Sequence, residues 1–135
     1  MNELKILEDV THPNVLRIYE LLHDCKNYYI ICEYLKYGEL YEYLIARPKS
    51  KLGALTEQEV KDITKQLLYS LCYMHSRNIA HRDLKPENIL VYSITKGSNV
   101  QIKISDFGFA KTYDPKRKMR DFLGTPLYTA PEIAR

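Results

Sequence analysis

Apolar residues recur at three- and four-residue steps through one long stretch: Val60, Ile63, Leu67, Leu71 and Met74. That spacing lines one side of a helix. Just ahead stands Thr56-Glu57-Gln58-Glu59, in which the Thr hydroxyl can accept from the amide near Glu59 while the Glu carboxylate reaches back. The pattern predicts a capped amphipathic helix over about 56–76. A shorter helix is expected over 39–46, carrying Leu40 and Leu44 and ended by Pro48. Another is expected over 3–9, with Leu4, Leu7 and Ile6 on one side, broken by His12-Pro13-Asn14. A helix that starts so close to the first residue points to chain upstream of it.

Between these helices the period changes. Residues 15–21 alternate imperfectly, residues 28–34 are rich in aromatic and β-branched side chains, and His23-Asp24-Cys25-Lys26-Asn27 separates them. Together they predict an antiparallel hairpin. Residues 88–92 and 100–105 predict a second strand pair, turning through Thr95-Lys96-Gly97-Ser98-Asn99. From 109 to 135 the periodicity fades among charges and prolines, which predicts a long loop. Such a loop in a compact domain more often carries function than not.

Composition narrows the class without deciding it. Hydrophobic residues at 45% and charged residues at 27% are ordinary for a globular chain, and 135 residues suffice for one domain. A net charge of +3 argues for neither nucleic acid nor an anionic membrane. No apolar run approaches the roughly 18 residues a membrane helix needs, and Met1-Asn2-Glu3-Leu4-Lys5 lacks the order of a signal peptide. Cys25, Cys32 and Cys72 are odd in number and form no Cys-x-x-Cys pair. That favours a reducing compartment, cytoplasmic or nuclear, over disulfides or zinc. Cys25 and Cys72 are expected to be buried or half-buried thiols, and most of the twelve tyrosines to be packing residues.

Chemistry concentrates in His81-Arg82-Asp83-Leu84-Lys85-Pro86-Glu87-Asn88. By itself the octet also reads as a polar turn with a helix-capping Asp. Phosphoryl transfer, however, needs a carboxylate for the substrate proton, a cation for the moving phosphate and oxygen ligands for magnesium. Asp83, Lys85 and Asn88 supply those three types. Downstream, Asp106-Phe107-Gly108 follows the apolar strand Ile102-Lys103-Ile104, and Gly124-Thr125-Pro126-Leu127-Tyr128-Thr129-Ala130-Pro131-Glu132 follows that.

These three motifs, in this order, resemble the catalytic loop, the magnesium-holding tripeptide and the substrate-docking loop of eukaryotic protein kinases. The resemblance implies an α+β, protein-kinase-like fold, in part: the end of the small β-rich lobe (1–34), then the hinge and first half of the helical lobe through the activation segment (35–135). It implies Asp83 as base, Lys85 on the transferring phosphate, Asn88 and Asp106 as magnesium ligands, and ATP with Mg2+ as cofactors. Glu3 matches the helix Glu that pairs with an ATP-anchoring Lys. Glu33, Tyr34 and Leu35 match the hinge that receives adenine, Cys32 the gatekeeper, and Leu90 the residue beneath the base. Leu7, Ile18, His81 and Phe107 match the stack that aligns in active kinases.

The resemblance also bears on the substrate. Lys85 with Gly124-Thr125 implies a serine/threonine kinase acting on proteins. Glu39 and Glu87 fall beside the nucleotide site, at acidic positions that in basophilic kinases read Arg three and two residues before the phosphosite. Arg82 implies a grip on an activation-loop anion, and Asp121, three residues before Gly124, is placed to supply it. The exposed-looking run Lys116-Arg117-Lys118 reads as a solvated loop face. The acidic residue before the docking loop and the Tyr-rich hairpin resemble the calcium- and calmodulin-dependent kinases. Val100–Ser105 running into Asp-Phe-Gly-Phe-Ala is similar to the autophagy-initiating kinases. The 135 residues hold no Gly-x-Gly-x-x-Gly loop and no Val-Ala-x-Lys strand. A truncated, inactive chain that acts as a binding or competitor module is therefore the alternative expectation.

Overall fold

A computed structural model describes residues 10–47, 55–95 and 99–134. The helix expected over 3–9, with Glu3 and Leu7, and the centre of the 95–99 turn lie outside these residues. The described elements run β1 (Ile18–His23), β2 (Tyr28–Cys32), α1 (Leu40–Ile45), α2 (Glu57–Ser76), β3 (Ile79–Ala80), β4 (Ile89–Thr95), β5 (Asn99–Ile104) and β6 (Lys111–Thr112). Short 3-10 turns at Pro86–Asn88 and Pro126–Tyr128 complete them.

The helix α2 forms where the cap and the apolar spacing place it. Glu59 N donates to Thr56 Oγ1 at 3.2 Å and Thr56 N to Glu59 Oε2 at 2.7 Å, closing the capping box. At the other end Asn78 takes a left-handed conformation (φ 57°), which Asn tolerates better than most residues, and turns the chain toward β3. The inward face is Glu59, Ile63, Ser70 and Met74, with Leu67 and Leu71 half-buried. Val60 departs from the expected stripe and is exposed. Burying Glu59 as the cap partner rotates its neighbour about 100° around the helix, out to solvent.

The strands form three antiparallel pairs: β1 with β2, β3 with β6, and β4 with β5. β5 lies along α2, and its edge is satisfied by a side chain instead of a strand. Gln66 Oε1 accepts from Ile102 N (3.0 Å) and Gln66 Nε2 donates to Val100 O (2.9 Å). Asn14 Nδ2 donates to the same Gln66 oxygen and to Ile102 O. The first expected strand starts later than its pattern, at Ile18; Val15 instead bridges Ile104 in parallel, and Leu16 N donates to Ile104 O at 2.8 Å. Residues 109–134 are largely loop, apart from β6 and one 3-10 turn.

Two apolar clusters form the core. Val10, Val15, Ile18, Met74, Ile79, Ile104, Phe107 and Ala110 make one; Leu40, Ile63, Ile89, Val91, Val100 and Ile102 make the other. Cys25 and Cys72 are exposed, contrary to expectation: one sits in the β1–β2 turn, the other on the outer side of α2. Eight of the twelve tyrosines are exposed as well, on hairpin, helix and loop faces where the ring edge reaches water.

Candidate active site

The octet begins where β3 ends. Arg82 (φ 71°) and Asp106 (φ 54°) both hold left-handed backbone conformations that bulky residues rarely adopt. Such conformations cost on the order of 1–3 kcal/mol each and cluster at functional sites. Here they turn two carboxylate-bearing segments toward each other. Ser105 ties the segments together: its amide and hydroxyl both donate to Asn88 O, at 2.8 and 3.1 Å.

Asp83, 5% exposed, is the centre of the cluster. Its Oδ1 accepts from Thr125 Oγ1 (2.7 Å) and Thr125 N (2.9 Å). Its Oδ2 accepts from Asn88 Nδ2 (3.1 Å) and pairs with Lys85 Nζ (2.9 Å). Lys85 Nζ also donates to Thr125 Oγ1 at 2.8 Å. Burial pushes the Asp83 carboxyl up, but the Thr125 and Lys85 contacts outweigh it, and its pKa falls below the usual carboxylate value. Lys85 is raised in turn, chiefly by its bond to Asp83. Gly124 makes the docking loop's approach possible. Its φ is 111°, and a Cβ there would stand 3.0 Å from Arg82 O.

His81 lies beneath this cluster. Its Nδ1 accepts from Asp83 N at 3.3 Å, which places the proton on Nε2, 3.0 Å from Ser105 O. Its ring rests on Phe107 with centroids 5.1 Å apart. Ile18 belongs to the same apolar cluster as Phe107.

The donor chemistry fits magnesium. Asn88 commits its Nδ2 to Asp83, leaving Oδ1 without a hydrogen bond among the described residues. Asp106 commits only Oδ1, to Gly108 N at 3.2 Å. A hard-oxygen pair of one carboxylate and one amide is what this ion takes when phosphates and water complete its shell. The residues expected to form the hinge leave main-chain groups open in the same sense. Glu33 O and Leu35 N make no hydrogen bond among the described residues, whereas Glu33 N is held by Arg17 O. Cys32 is exposed at the end of β2, and Leu90 is half-buried, bridged to Glu39.

Around the cluster, Arg82 Nη1 meets Asp121 Oδ2 at 2.8 Å, and Lys111 Nζ meets the same oxygen at 3.0 Å. Lys111, set by the two-residue β6, was not marked by any sequence motif. Ser105 was missed too; its signal was a small polar residue in an apolar strand directly before Asp106. Glu87 is half-buried, and its Oε2 is shielded from water with no hydrogen-bond partner among the described residues. Lys116, Arg117 and Lys118 are exposed.

The protein kinase domain model matches residues 1–135. The chain belongs to the protein kinase family. Its relatives include a probable serine/threonine-protein kinase, fhkD, of Dictyostelium discoideum, 42% identical over 99% of this chain and 17% of that protein. Calcium-dependent protein kinase 5 of Plasmodium falciparum is 40% identical over 98% of this chain and 22% of its own. Serine/threonine-protein kinase RAD53 of Saccharomyces cerevisiae is 38% identical over 98% and 15%. This kinase chain thus spans about a fifth of the length of such relatives or less. Its mixed helix-and-strand architecture is that of part of a protein kinase domain, and two of the relatives named above are serine/threonine-protein kinases.

Proposed function

We propose that the protein carrying this chain transfers phosphate from ATP to serine or threonine hydroxyls of protein substrates. The observation that carries the reading is the single bonded cluster of Asp83, Lys85, Asn88 and Thr125. Asp83 is the base. Ionised at neutral pH, it accepts the substrate hydroxyl's proton as the oxygen attacks. Thr125 Oγ1, already 2.7 Å from Asp83 Oδ1, marks where a small aliphatic hydroxyl fits. Lys85 balances charge on the moving phosphoryl group. Asn88 and Asp106 would hold Mg2+, which when bound neutralises phosphate charge. The hinge at Glu33–Leu35 orients the base of the nucleotide, with Cys32 and Leu90 lining it and Glu3 steadying the phosphate-anchoring cation.

In this reading the chain divides into the end of a small lobe (1–34) and a hinge with large-lobe residues (35–135). The preferred substrate carries Arg upstream of the phosphosite. Support comes from Glu87, one of whose carboxylate oxygens has no hydrogen-bond partner among the described residues and would be satisfied by a guanidinium; Glu39 is bridged to Leu90, three residues after Glu87. Three unbridged cysteines favour an intracellular, cytoplasmic or nuclear setting. One observation favours the second reading, a binding or competitor module without activity: every residue of β2 is exposed.

A phosphorylation assay tests the first reading. With Mg-ATP, a peptide bearing Arg three and two residues before its serine should be labelled, and Asp83→Asn should lower the rate by roughly a hundredfold or more. Glu87→Gln should cut the preference for Arg over Ala roughly tenfold. Equal rates for Asp83→Asn and the parent protein would end the proposal.

A further inference from the structure

Residues 11–16 lie outside the catalytic cluster and are fastened at nearly every step. Thr11 N donates to Tyr73 Oη (3.0 Å), Val15 N to His12 O (3.1 Å) and Leu16 N to Ile104 O (2.8 Å). Asn14 N donates to His12 Nδ1 at 3.1 Å, and the His12 ring lies against Tyr73 with centroids 5.1 Å apart. One of these bonds is conditional. A main-chain N–H can only donate, so His12 Nδ1 must carry a lone pair and the ring must be the neutral Nε2–H tautomer. An imidazolium has no lone pair to offer.

We infer that His12 is a titratable pin: neutral, it holds residues 11–16 on α2 and β5, and protonated, it releases them. The groups around it favour release. From α2 comes the Tyr73 ring, with the Arg77 guanidinium 4.7 Å from the centroid of that tyrosine ring. From β5 comes Lys103, whose carboxylate partner Glu33 is already bound to it (2.6 Å) and to Arg17 N (2.7 Å). A positive charge on His12 therefore meets repulsion from Lys103. Burial first, and the Lys103 charge second, push the His12 pKa below the ordinary 6.5, so the pin holds at neutral pH and loosens in acid. Its release reaches Asn14, whose side chain closes the Gln66–Ile102 network, and Ile104, two residues before Asp106.

Amide hydrogen exchange of the full chain tests this without requiring catalysis. Corrected for intrinsic pH dependence, protection of the Asn14 and Leu16 amides should fall roughly fivefold as the His12 ring titrates, the value of one neutral hydrogen bond. His12→Asn should abolish the step, because an Asn side-chain oxygen accepts from the amide two residues on and does not titrate. Protection without a step, or a step that survives in His12→Asn, overturns the inference. Ring-nitrogen chemical shifts of the unmutated chain give a check that needs no variant. His12 Nδ1 should be unprotonated at neutral pH, and a proton found there would overturn the pin.

Discussion

Asp83 has both carboxylate oxygens engaged, by Thr125 on one side and by Lys85 and Asn88 on the other. The types of residue needed were readable from the octet, because phosphoryl transfer asks for a carboxylate, a cation and oxygen ligands at close spacing. The engagement of Thr125 was not readable as geometry. It depends on Gly124 approaching Arg82 O and on the left-handed turn at Arg82, neither of which leaves a periodic trace. The same limit applies at Asp121. Counting back from Gly124 marks it for Arg82, but nothing along the chain marks Lys111 as the second cation on its Oδ2. Lys111 first, then Arg82, holds the Asp121 carboxyl below the usual carboxylate value, against slight burial. We propose that this anion, held by two cations, orders the loop at neutral pH without needing phosphate. Asp121→Ala in the active protein should lower turnover by on the order of tenfold to a hundredfold, as small misplacements of catalytic groups do. It should also speed proteolysis within 114–123, and Asp121→Glu should recover part of both. Unchanged turnover and proteolysis in Asp121→Ala would remove the loop-ordering role.

At the scale of elements, α2 was the most legible part of the chain, and its polar residues were the least. Glu59 and Gln66 sit on its inner side, where a spacing argument looks only for apolar side chains. Gln66 stands in for a neighbouring strand along β5, and Glu59 joins α2 to the end of α1 through Arg47 at 2.8 Å. With Glu59 1% exposed and Arg47 19%, the pair is largely shielded from water. Burial raises the Glu59 carboxyl, but the Arg47 guanidinium, then the Thr56 amide and hydroxyl, outweigh it and leave its pKa below the ordinary value. A depressed folded-state pKa means that the unfolded chain binds the proton more readily. The stabilisation is thus complete above the ordinary value of 4.5 and is lost as pH falls through the lower folded one. Urea unfolding at neutral pH and at about pH 3 should show this loss, and Glu59→Gln should flatten it. At neutral pH Glu59→Gln should cost about 2–3 kcal/mol, because Arg47 is left half-buried without its counter-ion. A variant as stable as the parent at neutral pH would show that the pair contributes nothing.

At the scale of the whole molecule, three motifs in order fix the family before any contact is known, whereas the surfaces around them are visible only in three dimensions. β2 is apolar along its length, yet both its faces are open: Tyr28, Tyr29, Ile30 and Ile31 are 44–66% exposed. On α2, Val60, Leu68 and Tyr69 with the stems of Lys61 and Lys65 line an apolar groove of about 450 Å3. Apolar patches of this kind on a lone chain favour association. In the proposed reading the site holds the metal and the base of a nucleotide, but among the described residues no cation beyond Lys85 is placed by the octet to meet its phosphates. Catalysis by placement fails when the donor is held at one end only, since most of its advantage comes from fixing both reactants. The 135-residue chain alone should therefore transfer no measurable phosphate from Mg-ATP to an Arg-containing peptide, and should form concentration-dependent oligomers by light scattering. Mild detergent should return it to a monomer without restoring transfer. A protein in which residues 1–135 are joined to the rest of a kinase domain should label the same peptide. Robust transfer by the isolated monomer would show that residues 1–135 hold the nucleotide by themselves, and the competitor-module reading would then be abandoned.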